Sequence, residues 1–412
     1  MTEQQILDGA EARIQKHRTA EATLRFVDAR GRPLGGLEAT VRLTRHAFKL
    51  GCNAYRLGRL KRPQLGRDYE TRFAALLNYA TLPFYWGGYE PARDQTRVDA
   101  LELMADTCAR HGIATKGHPL VWHQVYPGWA KRLEDAEVLE RLEARVKDIV
   151  YRFQGRIEIW DVVNEATVSH RHANAVGRWI KRRGAAACVA DALRWAHSSN
   201  PEATLLYNDF NVSPAFEKLV GALKRRKAPV HTIGIQSHMH RGTWPLAKAW
   251  RVCESYARFK LPLHFTELTV LSGPLKKDHD WHKRRTDWLT TPDGEKAQAH
   301  YAERFYTVLF SHPAVEAVTW WDFSDNGAWQ GAPAGLVRAD MSPKPLYERL
   351  ATLFHKRWTT NAKATTDRSG KATVRGFFGE HEARATTASG AELKGTFALR
   401  PAGPRTLDVA ME

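Results

Sequence analysis

Residues 156–166 read Arg-Ile-Glu-Ile-Trp-Asp-Val-Val-Asn-Glu-Ala. Ile157, Ile159, Val162 and Val163 are β-branched and apolar, as in a strand buried on both faces, and Asn164 and Glu165 follow that run directly. An amide and a carboxylic acid are thus presented where a buried strand emerges. A carboxylate there is costly unless something uses it. The plainer use is as a cap, since acids at a helix N-terminus stabilise it by about 0.3–1 kcal/mol. The chemical use needs a second acid, and Glu267 closes another apolar run of the same kind. Two carboxyls facing one bond can cleave a glycosidic linkage. One, held protonated, donates to the leaving oxygen; the other, ionised, attacks or activates water.

Other apolar runs end in groups that suit the same chemistry. His118 and Trp122-His123 close one, Asn208-Asp209 another, Gln236 and His238 a third, and Trp321 with Asp325 a fourth, with Trp329 just beyond. Sugar rings stack their C–H faces on indoles and take hydrogen bonds from Asn, Gln and His, so Trp122, Trp321 and Trp329 could form a platform. Each tryptophan taken singly could equally be packing, and a single strand histidine is more often a satisfied core residue. A succession of such strand ends is harder to assign to packing. A metal site built from His118, His123, His238 and His240 is a weaker reading, because the surrounding aromatics and amides are poor ligands. A serine hydrolase is weaker still without a Gly-x-Ser-x-Gly turn. No cofactor or metal is expected.

These groups need a scaffold that gathers strand ends on one face. Eight apolar runs recur: His46–Asn53, Tyr79–Trp86, Ala114–His123, Arg156–Glu165, Thr204–Asn211, His231–His240, Pro262–Val270 and Glu316–Asp325. Amphipathic stretches with three- and four-residue spacing lie between them, among them Thr96–His111, Ala136–Phe153, Glu217–Lys227, Ala247–Phe259 and Glu295–Phe310. Eight strand-then-helix units predict an α/β fold, a (β/α)8 TIM barrel, whose active site lies at the strand ends. A doubly wound open sheet is the alternative, but no Gly-x-Gly-x-x-Gly follows the first run.

The termini have another character. After a charged helical start over 2–18, residues 21–50 alternate like a β-meander with a turn at 28–36. Residues 359–412 are rich in Thr, Gly and Ala, with short alternating strands at Lys371–Phe377, Glu382–Thr386 and Thr396–Leu399. The expected division is 1–44, a helix and β-meander; 45–358, the catalytic barrel; and 359–412, a small β-rich unit. The last is expected to join a sheet with 21–44, because barrel termini can lie close together.

Composition bounds the remaining possibilities. With 43% hydrophobic residues and 14 tryptophans among 412, the chain can build a large core. It has no apolar run long enough to span a bilayer and no apolar signal core at its start, which is compatible with an intracellular protein or with a secreted one lacking its leader. Cys52, Cys108, Cys188 and Cys253 are scattered, as suits a reducing compartment. The net charge of +17 would favour an anionic partner, although basic residues this dispersed suit a solvated surface. The carboxylate pair and the aromatic and amide groups around it lead to the expectation of a polysaccharide or oligosaccharide partner, with or without acidic groups, bound by a monomer, and of neither nucleic acid nor membrane as partner.

The motifs together resemble glycoside hydrolase family 10, whose characterised members are mostly endo-β-1,4-xylanases. They are Gly-His-Pro-Leu-Val-Trp-His (117–123), Trp-Asp-Val-Val-Asn-Glu-Ala (160–166), Tyr-Asn-Asp-Phe-Asn (207–211), Gly-Ile-Gln-Ser-His (234–238), Phe-Thr-Glu-Leu (265–268) and Trp-Asp-Phe-Ser-Asp with Trp329. The resemblance implies that Glu165 is the acid/base and Glu267 the nucleophile of a retaining double displacement, with carboxyls about 5–5.5 Å apart. It further implies that Asn164 bonds the sugar 2-hydroxyl, that Gln236 and His238 orient Glu267, and that His118, Trp122 and Trp321 line the subsite of the cleaved sugar. His123, Asn208 and Trp329 complete the expected binding set. Two departures bear on substrate. The family's Glu-Asn-x-x-Lys-Trp is replaced by Leu82-Pro-Phe-Tyr-Trp-Gly-Gly-Tyr-Glu90, where Gly87 and Gly88 are expected to leave space and Tyr85, Trp86 and Glu90 to rebuild contacts. Thr269 stands where an Asp steadies the histidine, so His238 is expected to be held more loosely. The basic loop Leu271–Asp293, with Lys276, Lys277, His279, His282, Lys283, Arg284 and Arg285, is either a plain solvated loop or one that meets acidic decorations of the glycan such as uronic acids.

Overall fold

The computed structural model describes residues 1–276, 278, 280, 283–387 and 390–412. Fifteen strands form among them: β1 (Thr19–Val27), β2 (Glu38–His46), β3 (Lys49–Asn53), β4 (Tyr79–Pro83), β5 (Ala114–His118), β6 (Ile159–Asn164), β7 (Thr204–Asp209), β8 (Thr232–His238), β9 (Leu263–Thr269), β10 (Val315–Trp320), β11 (Asn361–Thr365), β12 (Lys371–Phe377), β13 (Gly379–Thr386), β14 (Glu392–Leu399) and β15 (Thr406–Ala410). Two compact units divide the chain. One comprises residues 1–49, 303–313 and 347–412; the other comprises 50–302 and 314–346.

Strands β3 to β10 close into the expected barrel in sequence order, with β10 pairing back to β3. Their residues are buried on both faces, as β8 and β9 show along almost their whole length, so the apolar runs need no alternation. The observed strands are shorter than the apolar runs. Trp86 falls on the short helix Trp86–Tyr89, and Trp122, His123 and Asp325 fall in loops beyond their strands. Each amphipathic stretch forms its helix: Asp135–Arg152, for example, buries Val138, Leu142, Arg145, Val146, Ile149 and Val150 on one face. Helices at Pro63–Leu76, Ala175–Arg183 and Ala185–Ser199 complete the crossovers. No helix among the described residues is long and apolar enough to cross a membrane.

The parallel register already brings the candidate groups together. Asn164 of β6 lies opposite Asn208 of β7, and Gln236 of β8 lies opposite Glu267 of β9. Arg145, buried in its helix, donates to the carbonyls of Phe84 and Leu120 and faces the rings of Trp86 and Tyr89. One guanidinium therefore fixes the chain beside Tyr85 and two residues before Trp122.

The unit of residues 1–49, 303–313 and 347–412 holds the remaining strands as two sheets, β12-β1-β15 and β11-β2-β13-β14. The meander expected over 21–50 does not form: β1 and β2 lie in different sheets. Alternation chooses which face of a strand is buried but not which strand pairs with it. Here β1 pairs with β12 (Ala22 opposite Val374) and β15 (Phe26 opposite Val409), while β2 pairs with β13 and β11. Leu24, Phe26, Val41, Phe397 and Val409 meet in the core between the sheets.

Candidate active site

Glu165 directly follows β6 with φ +57°, a left-handed conformation that strains a residue with a side chain. Two contacts hold it there: its N–H donates to Asn208 O (2.9 Å), and the Ser169 hydroxyl donates to its carbonyl (2.9 Å). The turn tips the carboxyl away from the following helix Ala166–Ser169, for which Glu165 makes no side-chain cap. The capping alternative is thereby removed. Instead Oε1 accepts from Gln236 Nε2 (3.0 Å) and Asn164 Nδ2 (3.2 Å), and Oε2 accepts from Trp122 Nε1 (3.1 Å).

Glu267, near the end of β9, has a different set of partners. Its Oε1 accepts from Asn208 Nδ2 (2.8 Å) and lies 3.8 Å from His118 Nε2, while its Oε2 lies 2.9 Å from His238 Nε2. Asn208 Nδ2 also donates to Asn164 Oδ1 (2.9 Å), which in turn accepts from Gln236 (3.1 Å), so a chain of amides links the two acids. Gln236 thus bonds Glu165 rather than orienting Glu267, and Asn208 takes the place expected of it. Only glycine at 234 permits this, because a Cβ there would lie 2.5 Å from Asn208 Oδ1. His238 is steadied through Nδ1 by the Thr269 hydroxyl at 2.8 Å, so it is tethered despite the missing carboxylate.

The two environments push the carboxyls apart. Burial, reinforced by the charges of Glu267 and Asp209 and opposed by the Gln236 and Trp122 hydrogen bonds, raises Glu165 to about 8. Burial also acts upward on Glu267, but the His118 and His238 imidazoles and Lys116 outweigh it and hold this acid below the usual range. Lys116 and His118 are themselves braced by Asp161, which is fully buried with its Oδ2 2.6 Å from Lys116 Nζ and 2.7 Å from His118 Nδ1. Of the four histidines considered as ligands, His118 bonds Asp161, His123 bonds Ser169 (2.6 Å) and His238 bonds Glu267, and among the described residues there is no group of three or more His, Cys, Asp or Glu that could hold a metal.

Both acids open onto one cleft of about 850 Å³. Tyr85, His118, Trp122, Asn164, Gln236, His238, Trp321 and Trp329 of the expected set line it. His123, Asn208 and Trp86 do not. His123 is buried against His172, its ring held near pKa 3 by burial and by the His172 charge. Asn208 is fully buried, its amide bonded to Glu267 and Asn164. Trp86 turns inward to Tyr126 and Trp129, and its N–H is taken by Glu90 Oε2 (2.9 Å), while Glu90 Oε1 accepts from Asp94 N (2.8 Å). Nor does Gly87 leave space: a Cβ there would lie 2.7 Å from Val125 O, so the glycine serves close backbone packing.

The structure adds groups that strand-end reading missed. Tyr55, two residues beyond β3, meets Tyr85 hydroxyl to hydroxyl at 3.2 Å and packs edge-on to Trp321. Asp322, raised to about 7 by burial and by Asp325 against a hydrogen bond from Trp329 N (3.0 Å), anchors the Trp329 turn. Arg56, Arg241, Trp244 and Lys248 also line the cleft. Tyr55 closes the first apolar run after Asn53 and could have been found by that rule; Trp244 and Lys248 fall in a loop and a helix with no such signal. By contrast, no described residue of the basic loop Leu271–Asp293 lines the cleft. Lys276 and Arg285 pair with Asp287, Arg285 also with Asp278, and Lys283 with Asp280. Lys277, His279 and His282 lie outside the described residues.

The model of the family described as glycosyl hydrolase family 10 matches residues 81–353. The chain is 28% identical over 286 residues to endo-1,4-beta-xylanase B of Thermotoga neapolitana, a match covering 66% of this chain and 78% of that protein. It is 26% identical over 396 residues to the anti-sigma-I factor RsgI6 of Acetivibrio thermocellus, covering 93% of this chain and 47% of that protein. Among solved structures it is similar to native xylanase 10B of Thermotoga maritima, with TM-score 0.63 and 27% identity over 76% of this chain and 96% of that one.

Proposed function

The chain belongs to glycosyl hydrolase family 10, and from that premise we propose that it is a retaining endo-glycosidase that cleaves β-1,4-xylosidic bonds in xylan or a related plant β-glycan. Glu165 acts as acid/base and Glu267 as nucleophile. The observation that supports this most is the split between them: one carboxyl raised to about 8 and one lowered, in a single cleft and joined by amides.

In the first step a Glu267 oxygen bonds to the anomeric carbon while the glycosidic C–O bond breaks and Glu165 passes its proton to the leaving oxygen. In the second, Glu165 removes a proton from water, whose oxygen displaces Glu267. Asn164 is placed to bond the sugar 2-hydroxyl. Asn208 and His238 hold Glu267; Gln236 and Trp122 hold Glu165. Trp321, Trp329 and Tyr85 supply aromatic faces to the sugar. In this reading residues 45–358 are the catalytic part, and 1–44 and 359–412 are accessory β-structure. A second reading keeps the chemistry and changes the glycan, because Tyr85, in the 82–90 stretch that replaces the family's Glu-Asn-x-x-Lys-Trp, lines the cleft and pairs with the Tyr55 hydroxyl.

Product profiles on xylan, mixed-linkage glucan and short decorated oligosaccharides distinguish the two readings. Glu165→Gln and Glu267→Gln should each abolish turnover of polysaccharide, by roughly a thousandfold or more, while retaining glycan binding. On an aryl glycoside with a leaving group that needs no proton, Glu165→Gln should still release one equivalent of phenol and Glu267→Gln should not. The reverse pattern would exchange the two roles, and full turnover by both variants would reject the reading.

A further inference from the structure

Lys248 lies in the first turn of helix Leu246–Ala257, where a positive charge opposes the helix dipole, so the position does not serve helix stability. Its ammonium stands 4.0 Å from the centroid of the Trp244 ring. Lys248, Trp244 and Arg241 line the same cleft as Glu165 and Glu267. Among the described residues no carboxylate lies within 4 Å of Lys248 Nζ; in the basic loop Lys276, Lys283 and Arg285 have acidic partners, and Arg284 does not line the cleft. Partial burial draws the lysine below its ordinary pKa with no charge opposing the shift. A cation removed in part from water without a counter-charge is destabilising, and an anion entering the cleft would offset that cost.

We propose that the cleft wall formed by Arg241, Trp244 and Lys248 is a subsite for a carboxylate-bearing sugar, so that the preferred substrate is a β-glycan decorated with uronic acid. This places acid recognition on β8's following loop and helix rather than on the basic loop 271–293, and it rests on the glycosidase reading above. The indole holds the ammonium against the cleft wall by cation–π attraction. The charged side group of the glycan would meet it there while the backbone sugar spans the two acids.

The test uses three substrates with one backbone: the uronate-decorated glycan, the same glycan with its carboxyls methyl-esterified, and the undecorated glycan. The wild-type protein is expected to show kcat/KM about tenfold higher on the acid than on the ester, equivalent to one close charge pair. That ratio should shrink as salt is raised, fall towards one in Lys248→Met, and largely recover in Lys248→Arg. Equal rates of wild type on acid and ester, or an unchanged ratio in Lys248→Met, would overturn the subsite. Failure of wild type to cleave any of the three would instead overturn the glycosidase reading. Should Lys248→Met not fold, the wild-type comparison of acid with ester still decides.

Discussion

Glu165 and Glu267 carry the same functional group, and what divides their roles is the company each keeps. Burial leaves Glu165 near other negative charges with hydrogen bonds too few to offset them; Glu267 is surrounded by two imidazoles and a lysine. The proposed mechanism requires the first protonated and the second ionised, so kcat/KM is expected to fall above a pH of about 8 as Glu165 loses its proton. The same group affects stability. Between its ordinary value of 4.5 and about 8, Glu165 keeps a proton in the folded state that the unfolded chain has released, so stability declines as pH rises through that window. Glu165→Gln removes the conflict. Its thermal midpoint should exceed that of wild type at pH 8, by an equivalent of up to about 4 kcal/mol, and approach it below pH 4.5. Midpoints that coincide at pH 8 would show that the raised pKa is not present in solution.

At the level of elements, the cleft depends on segments that never touch substrate. Arg145 ties helix Asp135–Arg152 to the carbonyls of Phe84 and Leu120, and those carbonyls lie next to Tyr85 and near Trp122. A lysine keeps the charge but offers one point of donation where the guanidinium makes a fork. Arg145→Lys should therefore cost about 2–4 kcal/mol. It should also raise KM more than it lowers kcat, since the displaced groups are aromatic cleft walls rather than the acids. Calorimetry and steady-state kinetics on a soluble substrate check both; a kcat loss at constant KM would contradict this account. The site's residues at strand ends were legible in the chain because a buried parallel strand tolerates polar groups only where it emerges. Trp86 misled for the same reason: it extends the apolar run, yet the chain has already turned into a helix that points it inward.

At the scale of the whole molecule, the terminal β-structure is built from both chain ends. β15 lies parallel to β1 and buries Val409 and Met411. Ending the chain before Thr406 would expose one edge of β1 and vacate two apolar positions, a loss of about 3–6 kcal/mol. Hydrogen exchange of the β1 amides from Thr23 to Val27 should then accelerate by several orders of magnitude, with exchange in β8 and β9 unaffected as a reference. Protection of β1 that survives the truncation would show that β12 alone stabilises it. Many basic side chains pair with acids at the surface, among them Arg25–Asp408, Arg178–Asp135 and Arg400–Glu380, and the net charge of +17 is the excess of basic residues over acidic ones. Lys248 differs from these in having an aromatic ring and no acid beside it.

The amino-acid sequence by itself determined the barrel, because eight largely apolar runs alternating with amphipathic stretches have few other ways to be buried. It also determined which polar groups would stand at the strand ends, and through them the family. Tertiary structure alone decided what sets the proton affinities of the two acids, that Trp86 turns away from the cleft, and that β1 and β2 part into separate sheets. The reason is common to all three. Proton affinity, side-chain direction and strand pairing are set by charges, atoms and edges that lie close in space, and His118, His238 and Lys116 come near Glu267 only when the cylinder closes.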